Sequence, residues 1–502
     1  MATDTLQSSF DCIERALGAI AARVFHSPSV DIDAAAGVDA APARAIAVAY
    51  SGGLDSSVML HLVQAAGAAH GWTVHAFHVH HGLSTQADAW LAHCADQAAA
   101  LGVRFDSRRI EVDASADGIE GAARLGRYAA LGAMCRAHGV PLLLTAHHQD
   151  DQAETVLLQL LRGSGVAGLS GMDQLNQAPA LLGHPDLFMG RPLLTLARAE
   201  LEAIAASRAI GHVEDASNAD PRYARNILRH QVMPLLASQF PGFVQRFARS
   251  ARHAQSAQRL LIELAAQDLA ACGGTSGAGD SLDLAAFQSL GSERIDNLLR
   301  YWFGLRGVRM PSTAWLQQMR SQLQNAKADA QLLVRHADCD IHRHRNRVVM
   351  TTRRDDSDCE IEALSFTWDG NPAMAFPAFG GTLHFDPAEI GVDEQWLKQQ
   401  NLTLQVRGGG WQLKLAPNRS TRSLKYHYQA ADIPAWERSR LPLVTVGPAR
   451  SSAPPKRPGV APATRLLYAA GLGMDCHDFA DTQGARIVLR WQSDQGRQVQ
   501  QG

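Results

Sequence analysis

Seven residues, Ser51-Gly52-Gly53-Leu54-Asp55-Ser56-Ser57, constrain this chain more than any other stretch. A short buried-strand pattern, Ala45-Ile46-Ala47-Val48-Ala49-Tyr50, runs into them. A helical pattern follows, with apolar residues at Val58, Met59, Leu62, Val63 and Ala66. Strand, glycine turn and helix N-terminus in that order present backbone N–H groups to an anion, and the helix dipole adds to the attraction. Glycine lets the backbone approach a ligand without a Cβ in the way, and the serines add hydroxyl donors. A Walker loop would carry Lys near its end; here Asp55 stands in the turn. An acid among phosphates makes sense with Mg2+ between them, so the loop is expected to bind a phosphate group as its magnesium complex.

The 502 residues suffice for about three domains. Residues 44–195 alternate strand and helix patterns, with strands expected at 44–49, 73–79, 104–112 and 142–146 and a fifth near 187–194. Such alternation implies a doubly wound parallel sheet with its ligands at the carboxyl ends of the strands. Residues 222–335 read as mostly helical, with helices expected at 225–237, 243–269, 291–303 and 312–324, and 338–352 as two short strands. The chain therefore divides into an N-terminal extension (1–40), an α/β domain (41–220), a helical domain (221–355), a connecting region (356–397) and a small α+β domain (398–502). Within the last, the Pro-, Ser- and Ala-rich stretch 447–464 reads as a long loop.

Hydrophobic content of 46% and charged content of 19% describe an ordinary globular protein. No apolar run is long enough to span a membrane, and no secretory signal is expected. Seven scattered cysteines without a CxxC pair suit a reducing cytoplasm. Net charge is −2, but its distribution is uneven: from Pro221 to Ile262 there are seven arginines and no Asp or Glu. A second basic stretch runs from Arg407 to Arg440. Basic stripes in a neutral chain point to a polyanion partner.

Three further constellations carry chemistry. Thr145-Ala146-His147-His148-Gln149-Asp150-Asp151-Gln152-Ala153-Glu154-Thr155 sits at a strand–helix junction and gathers two histidines with three acids. The acids also suit a helix N-terminus, the structural alternative. Gly118–Tyr128 places Glu120, Arg124 and Arg127 on one helix face, where an exposed Glu–Arg pair is the plain alternative. Arg222, Arg225 and Arg229 recur at helical spacing after Glu214 and Asp215. Arginine forks suit phosphate oxygens, and ion pairing at a domain interface explains them as well.

Together these motifs resemble one family, the tRNA(Ile)-lysidine synthetases of the PP-loop ATP pyrophosphatase superfamily. SGGLDSS, AFHVHHGL, GIEGAARLGRYAAL, TAHHQDDQAET with LLQLLRGSGVAGLSGM, RPLL and VEDASNAD leading into ARNILRHQVMPLL carry the resemblance over about 44–237. Ile433-Pro434-Ala435-Trp436, Arg438 and Arg440-Leu441-Pro442-Leu443 are similar to its C-terminal domain, although LKYHYQAAD departs from the usual basic-aromatic segment. The resemblance implies that ATP adenylates carbon 2 of the wobble cytidine in a CAU-anticodon isoleucine tRNA. Free L-lysine then displaces AMP. It implies a cytoplasmic enzyme, with tRNA and lysine as partners, ATP and Mg2+ as cofactors, and a homodimer left open. Ser51, Gly52, Gly53, Leu54, Asp55, Ser56 and Ser57 would bind ATP, and Asp55 and Asp151 the metal. Asp55, His147, Asp151 and Glu154 would be catalytic, with His148 the weaker candidate. Glu120, Arg124, Arg127, Arg222, Arg225, Arg229, Lys425, Arg438 and Arg440 would meet tRNA or lysine.

Elongator methionine tRNA carries the same anticodon, so discrimination needs contacts elsewhere, each worth about 1–3 kcal/mol. The arginine-rich segment and the C-terminal domain are where they are expected. A PP-loop tRNA thiolase or a small-metabolite ligase or amidotransferase is the alternative reading. The missing CxxC pairs argue against the first, and the acid-free arginine segment against the second.

Overall fold

The structure, a computed structural model, describes residues 2–25, 44–80, 82, 86–110, 118–214, 224–273, 281–325, 332–353, 361–406, 410–447, 464–479 and 484–494. Arg222 and nearly all of the Pro-rich loop 447–464 lie outside them, as does the side chain of Glu120. The chain divides into two units, Met1–Cys272 with Ser289–Ser312 and Gly273–Gln288 with Thr313–Gly502.

The first unit begins α1 (Ala2–Phe25), β1 (Ala45–Ala49), α2 (Leu54–His70), β2 (Thr73–His80), α3 (Ala87–Ala100) and β3 (Arg104–Arg109). It continues α4 (Gly118–Ala137), β4 (Leu142–Leu144), α5 (Gln149–Leu161), β5 (Leu175–Gln177) and β6 (Phe188–Gly190). Strand order is β3-β2-β1-β4-β6-β5, and all neighbours are parallel except β5 against β6. Both faces are covered, as a parallel sheet requires. Ile46, Val48, Val74, Ala76, Leu142 and Leu144 turn to one face and join a core with α1, α2 and α3. Ala45, Ala47, Phe77, Val79, Leu143 and Met189 turn to the other, against Tyr128, Leu131 and Met134 of α4. The doubly wound sheet is thus present, with an antiparallel edge added. That edge strand reads Leu-Asn-Gln, three residues without β-branching or usable alternation.

Helix α1 buries Ile13, Leu17, Ile20 and Val24 in the first of these cores. Each such side chain contributes about 1.5–3 kcal/mol of apolar burial, so α1 is an integral layer of the sheet domain.

Beyond the sheet, 225–237 is interrupted. Ala224–Ile227 passes through a π-helical turn, Leu228–Val232, into Met233–Gln239. Pro234 stands at the start of this last helix; lacking an N–H, it cannot continue the regular ladder from the turn before it. Phe243–Cys272 and Ser292–Leu305 are long amphipathic helices of the same unit.

In the second unit a four-stranded antiparallel sheet runs in the order Ser281–Asp283, Arg347–Thr352, Cys339–His344, Leu333–Arg335. Further on, the stretch read as a connector supplies Leu364–Phe366, Ala373–Phe376 and Gly381–Asp393 to two more sheets. Gly381–Asp393 pairs with Arg486–Ser493, across the position read as a domain boundary at 398. Its alternation is broken between Pro387 and Val392, where the register shifts, which hides the strand in the sequence. Among the described residues no helix is long and apolar enough to cross a membrane.

Candidate active site

Strand β1 has β2 on one side and β4 on the other, and the chain leaves β1 and β4 toward opposite edges of the sheet. A crevice opens at the carboxyl ends of two such strands. Residues 50–53 and 145–148 emerge there.

The glycine loop is held by its own hydroxyls. Ser57 Oγ donates to the Gly52 carbonyl at 3.2 Å, Ser56 Oγ to the Gly53 carbonyl at 3.0 Å, and the Val213 amide to the Gly52 carbonyl at 2.9 Å. Gly52 has φ +84°, and a Cβ there would lie 2.8 Å from Cys94 Sγ and 3.2 Å from Val213 Cγ2. Glycine is therefore required on two counts. Gly53 is the N-cap of α2, and no side chain caps the helix. Ser51 is exposed, its Oγ 3.1 Å from Ser56 Oγ and accepting from the Gly53 amide at 3.4 Å, and the uncapped N-terminus of α2 beside it is the kind of site that suits an anion.

Around Asp55 the structure assembles a charge cluster. Its Oδ2 accepts from Arg198 Nη1 at 2.8 Å and lies 3.9 Å from His148 Nε2. His148 is buried, with Nδ1 3.5 Å from Asp150 Oδ2 and Nε2 3.3 Å from Asp151 Oδ2. Asp150 Oδ2 accepts the Arg198 amide at 2.8 Å, and Asp151 Oδ2 the His148 amide at 3.1 Å. Arg225 donates to Asp151 at 3.1 Å and to Glu154 at 2.9 Å; Arg229 does the same at 2.8 Å and 2.6 Å. Four acids, Asp55, Asp150, Asp151 and Glu154, thus meet His148, Arg198, Arg225 and Arg229. With His148 protonated the cluster is electrically neutral.

Proton affinities follow from that arrangement. Burial alone would lower the His148 pKa, but the nearby carboxylates of Asp150, Asp151 and Asp55 outweigh it and raise it. Burial opposes ionisation of Asp151, yet His148, Arg225, His147 and Arg229 hold its carboxyl down to about 2. Asp55 is raised by burial, against the pull of His148 and Arg198. His147 is lowered to about 3, mainly by burial, and Thr145 Oγ1 lies 2.9 Å from its Nδ1. The two adjacent histidines are therefore shifted in opposite directions, His147 down and His148 up.

Arg124 and Arg127 stand beside the Tyr128 ring, at 5.0 and 5.4 Å from its centroid. Arg191, buried just past the end of β6, donates to the Asp173 carbonyl and to Asn176, both at 2.7 Å. In the second unit Lys425 and Arg440 are exposed, whereas Arg438 is buried and its Nε donates to the Ile433 carbonyl at 2.6 Å.

Asp55 Oδ1 is buried and has no hydrogen-bond partner. A hard anionic oxygen left open in this way fits Mg2+. Asp151 is differently placed, since its oxygens already accept from Arg225, Arg229 and the His148 amide. No three His, Cys, Asp or Glu side chains among the described residues form a metal cluster.

Sequence reasoning missed Arg198. A signal was present: Arg198 opens the helix Arg198–Ser207, where the dipole disfavours a cation. An arginine in that position needs an acid from elsewhere, and Asp55 supplies it.

Three family models match the chain: a PP-loop domain over residues 28–236, the TilS substrate binding domain over 282–349 and the TilS substrate C-terminal domain over 402–450. Curated relatives named tRNA(Ile)-lysidine synthase align along most of it. The Burkholderia mallei protein is 40% identical over 481 residues, 89% of this chain and 93% of that protein. The Ralstonia nicotianae protein is 42% identical over 444 residues, 86% and 89%. That of Coxiella burnetii is 34% identical over 402 residues, 80% and 86%.

Proposed function

This chain belongs to the tRNA(Ile)-lysidine synthase family, an ATP-binding, tRNA-modifying ligase, and from that premise we propose that it builds lysidine at the wobble cytidine of a CAU-anticodon isoleucine tRNA. The cytidine O2 attacks the α-phosphorus of ATP, the α–β phosphoanhydride bond breaks and pyrophosphate leaves. The ε-nitrogen of free L-lysine then attacks carbon 2, the bond from C2 to the AMP oxygen breaks, and the amine gives up a proton. The observation that carries the reading is the junction of the glycine loop with the acid cluster, through Asp55, Arg198 and His148.

Within this scheme Ser51–Ser57 grip the β- and γ-phosphates and leave the α-phosphate open. Asp55 would hold Mg2+ through Oδ1, with Asp151 joining only where Arg225 and Arg229 release it. The ion would neutralise charge on the phosphates. Arg124 and Arg127 remain candidates to meet RNA, with Glu120 on the same helix.

Lysine must attack as a neutral amine. At pH 7 that form lies about 4.6 kcal/mol above the ammonium in water. The buried carboxylates of Asp151 and Glu154 would accept from the amine where Arg225 and Arg229 release them. His147, held neutral, offers a ring lone pair for the proton, but at about 3 it is a weak base. Desolvation of the ammonium therefore supplies much of the difference.

The test is ATP-dependent incorporation of labelled lysine into the isoleucine tRNA, with elongator methionine tRNA as control. Sulfur incorporation in place of lysine would support a thiolase, and pyrophosphate release without tRNA a small-metabolite ligase. If Asp151→Asn left lysine attack on a preformed adenylate unchanged, Asp151 would have no part in activating the amine.

A further inference from the structure

The acid-free stretch of arginines divides into two populations. Arg225 and Arg229 find their countercharges inside the fold, on Asp151 and Glu154. Arg246, Arg249, Arg252 and Arg259, on the helix Phe243–Cys272, are exposed. Among the described residues none of these four meets a carboxylate. Arg246 donates to the Pro241 carbonyl at 2.9 Å and Arg259 to Ser256 Oγ at 3.0 Å.

Arg249, Arg252, Ser256 and Arg259 follow one another at helical spacing on a single face, and the rise of about 1.5 Å per residue spreads them over about 15 Å. Phe243, Ala248, Ala251 and Ala265 are buried against the rest of the unit. A solvated helix face usually mixes both signs. This one carries only positive charge until Glu263. The helix lies between residues 236 and 282, outside the spans matched by the family models.

It is also fixed relative to the reaction site. Phe243 and Phe247 pack on Ala153 and Leu157 of α5, whose first turns carry Asp150, Asp151 and Glu154. Gln255 donates to the carbonyls of Ser170 and Met172 at 2.9 and 3.0 Å. A backbone seated on this face would be held at a set distance from the crevice.

We propose that Arg249, Arg252 and Arg259, with Arg246 beside them, form a rail for the sugar-phosphate backbone of the substrate tRNA. The inference rests on the tRNA reading above and deepens it. Phosphate contacts position a nucleic acid without reading its sequence. The rail therefore docks isoleucine and methionine tRNAs alike and leaves discrimination to other contacts.

The experiment uses the full chain and three purified forms: wild type, the triple variant Arg249→Gln/Arg252→Gln/Arg259→Gln, and the matching triple Arg→Lys variant. Affinity for each tRNA transcript is measured across a salt series. Removal of three phosphate contacts is expected to reduce the slope of log K against log salt by about 2. At low salt the glutamine variant should bind both tRNAs at least tenfold more weakly, with ATP affinity unchanged, and the lysine variant should recover most of the slope. An unchanged slope in the glutamine variant overturns the rail, as does loss for one tRNA only. So does equal loss in the glutamine and lysine variants, which would reflect packing. Lysine incorporation by wild type is scored separately: its absence would sink the lysidine reading, whereas the salt slope judges the rail alone.

Discussion

Asp151→Asn measures how far the acid cluster depends on one buried charge. In the fold Asp151 ionises at about 2, against an ordinary value of 3.8. That depression corresponds to about 2 kcal/mol of stability at neutral pH. It is an upper figure, because Arg225 and Arg229 are 29% and 32% exposed and water screens part of the attraction. The folded pKa is depressed, so the contribution is whole above the unfolded value and fades as pH falls from about 4 toward 2. Asparagine keeps the shape and one acceptor oxygen but removes the charge. A two-unit chain need not unfold in one step, so the assay is hydrogen exchange of the α5 amides in the intact protein. At pH 7 they should exchange about 30-fold faster in the variant, after correction for intrinsic rates. The ratio should shrink as pH falls below about 4, to roughly tenfold or less near pH 3, and approach unity only below about pH 2, as wild type loses the same contribution. Equal protection at pH 7, or a ratio that grows on acidification, would refute the reasoning.

Further outcomes follow from other contacts. Arg198→Gln removes a cation that keeps the buried Asp55 ionised, so the Asp55 pKa should rise further; pyrophosphate release should then fall more at pH 6 than at pH 8, and an unaltered pH profile would count against the pairing. Gly52→Ala should weaken ATP binding at least tenfold by titration, and adding Cys94→Ala should restore only part, because φ +84° still disfavours alanine. Arg438→Gln should lower the melting temperature of the second unit by removing a buried donor worth about 1–3 kcal/mol. The exposed Lys425→Gln should leave melting unchanged and weaken tRNA binding instead; the reverse pattern would show that these roles were assigned the wrong way round.

Legibility followed the range of the interactions. The glycine loop and strands β1, β2 and β4 are visible because local pattern decides them: continuous apolar runs, turn residues and a helix start. The pairing of Arg486–Ser493 with Gly381–Asp393 spans about a hundred residues and is invisible to local pattern, the more so because the register of Gly381–Asp393 shifts between Pro387 and Val392. The π-helical turn before Met233 is a local event, yet its cue is a single proline inside an otherwise helical pattern.

Charge is the harder case, because an arginine looks the same in a sequence whether its countercharge is inside the protein or outside it. Arg225, Arg229 and Arg249 come from one acid-free segment, and only the fold brings α5 under the first two. The same ambiguity affects His147 and His148, neighbours separated by the alternation of an extended backbone. One turns toward Thr145 and is held neutral by burial; the other turns into three carboxylates, which raise its proton affinity. A lone buried histidine cation would be unfavourable, and a lone buried acid pair equally so. Arg198, Arg225 and Arg229 share in offsetting these acids, but His148 approaches all three, so replacing His148 by glutamine should raise the pKa of Asp55, Asp150 and Asp151 together. Carboxyl titration by NMR in wild type and His148→Gln would show this; an effect confined to one acid would mean that the cluster is a set of separate pairs.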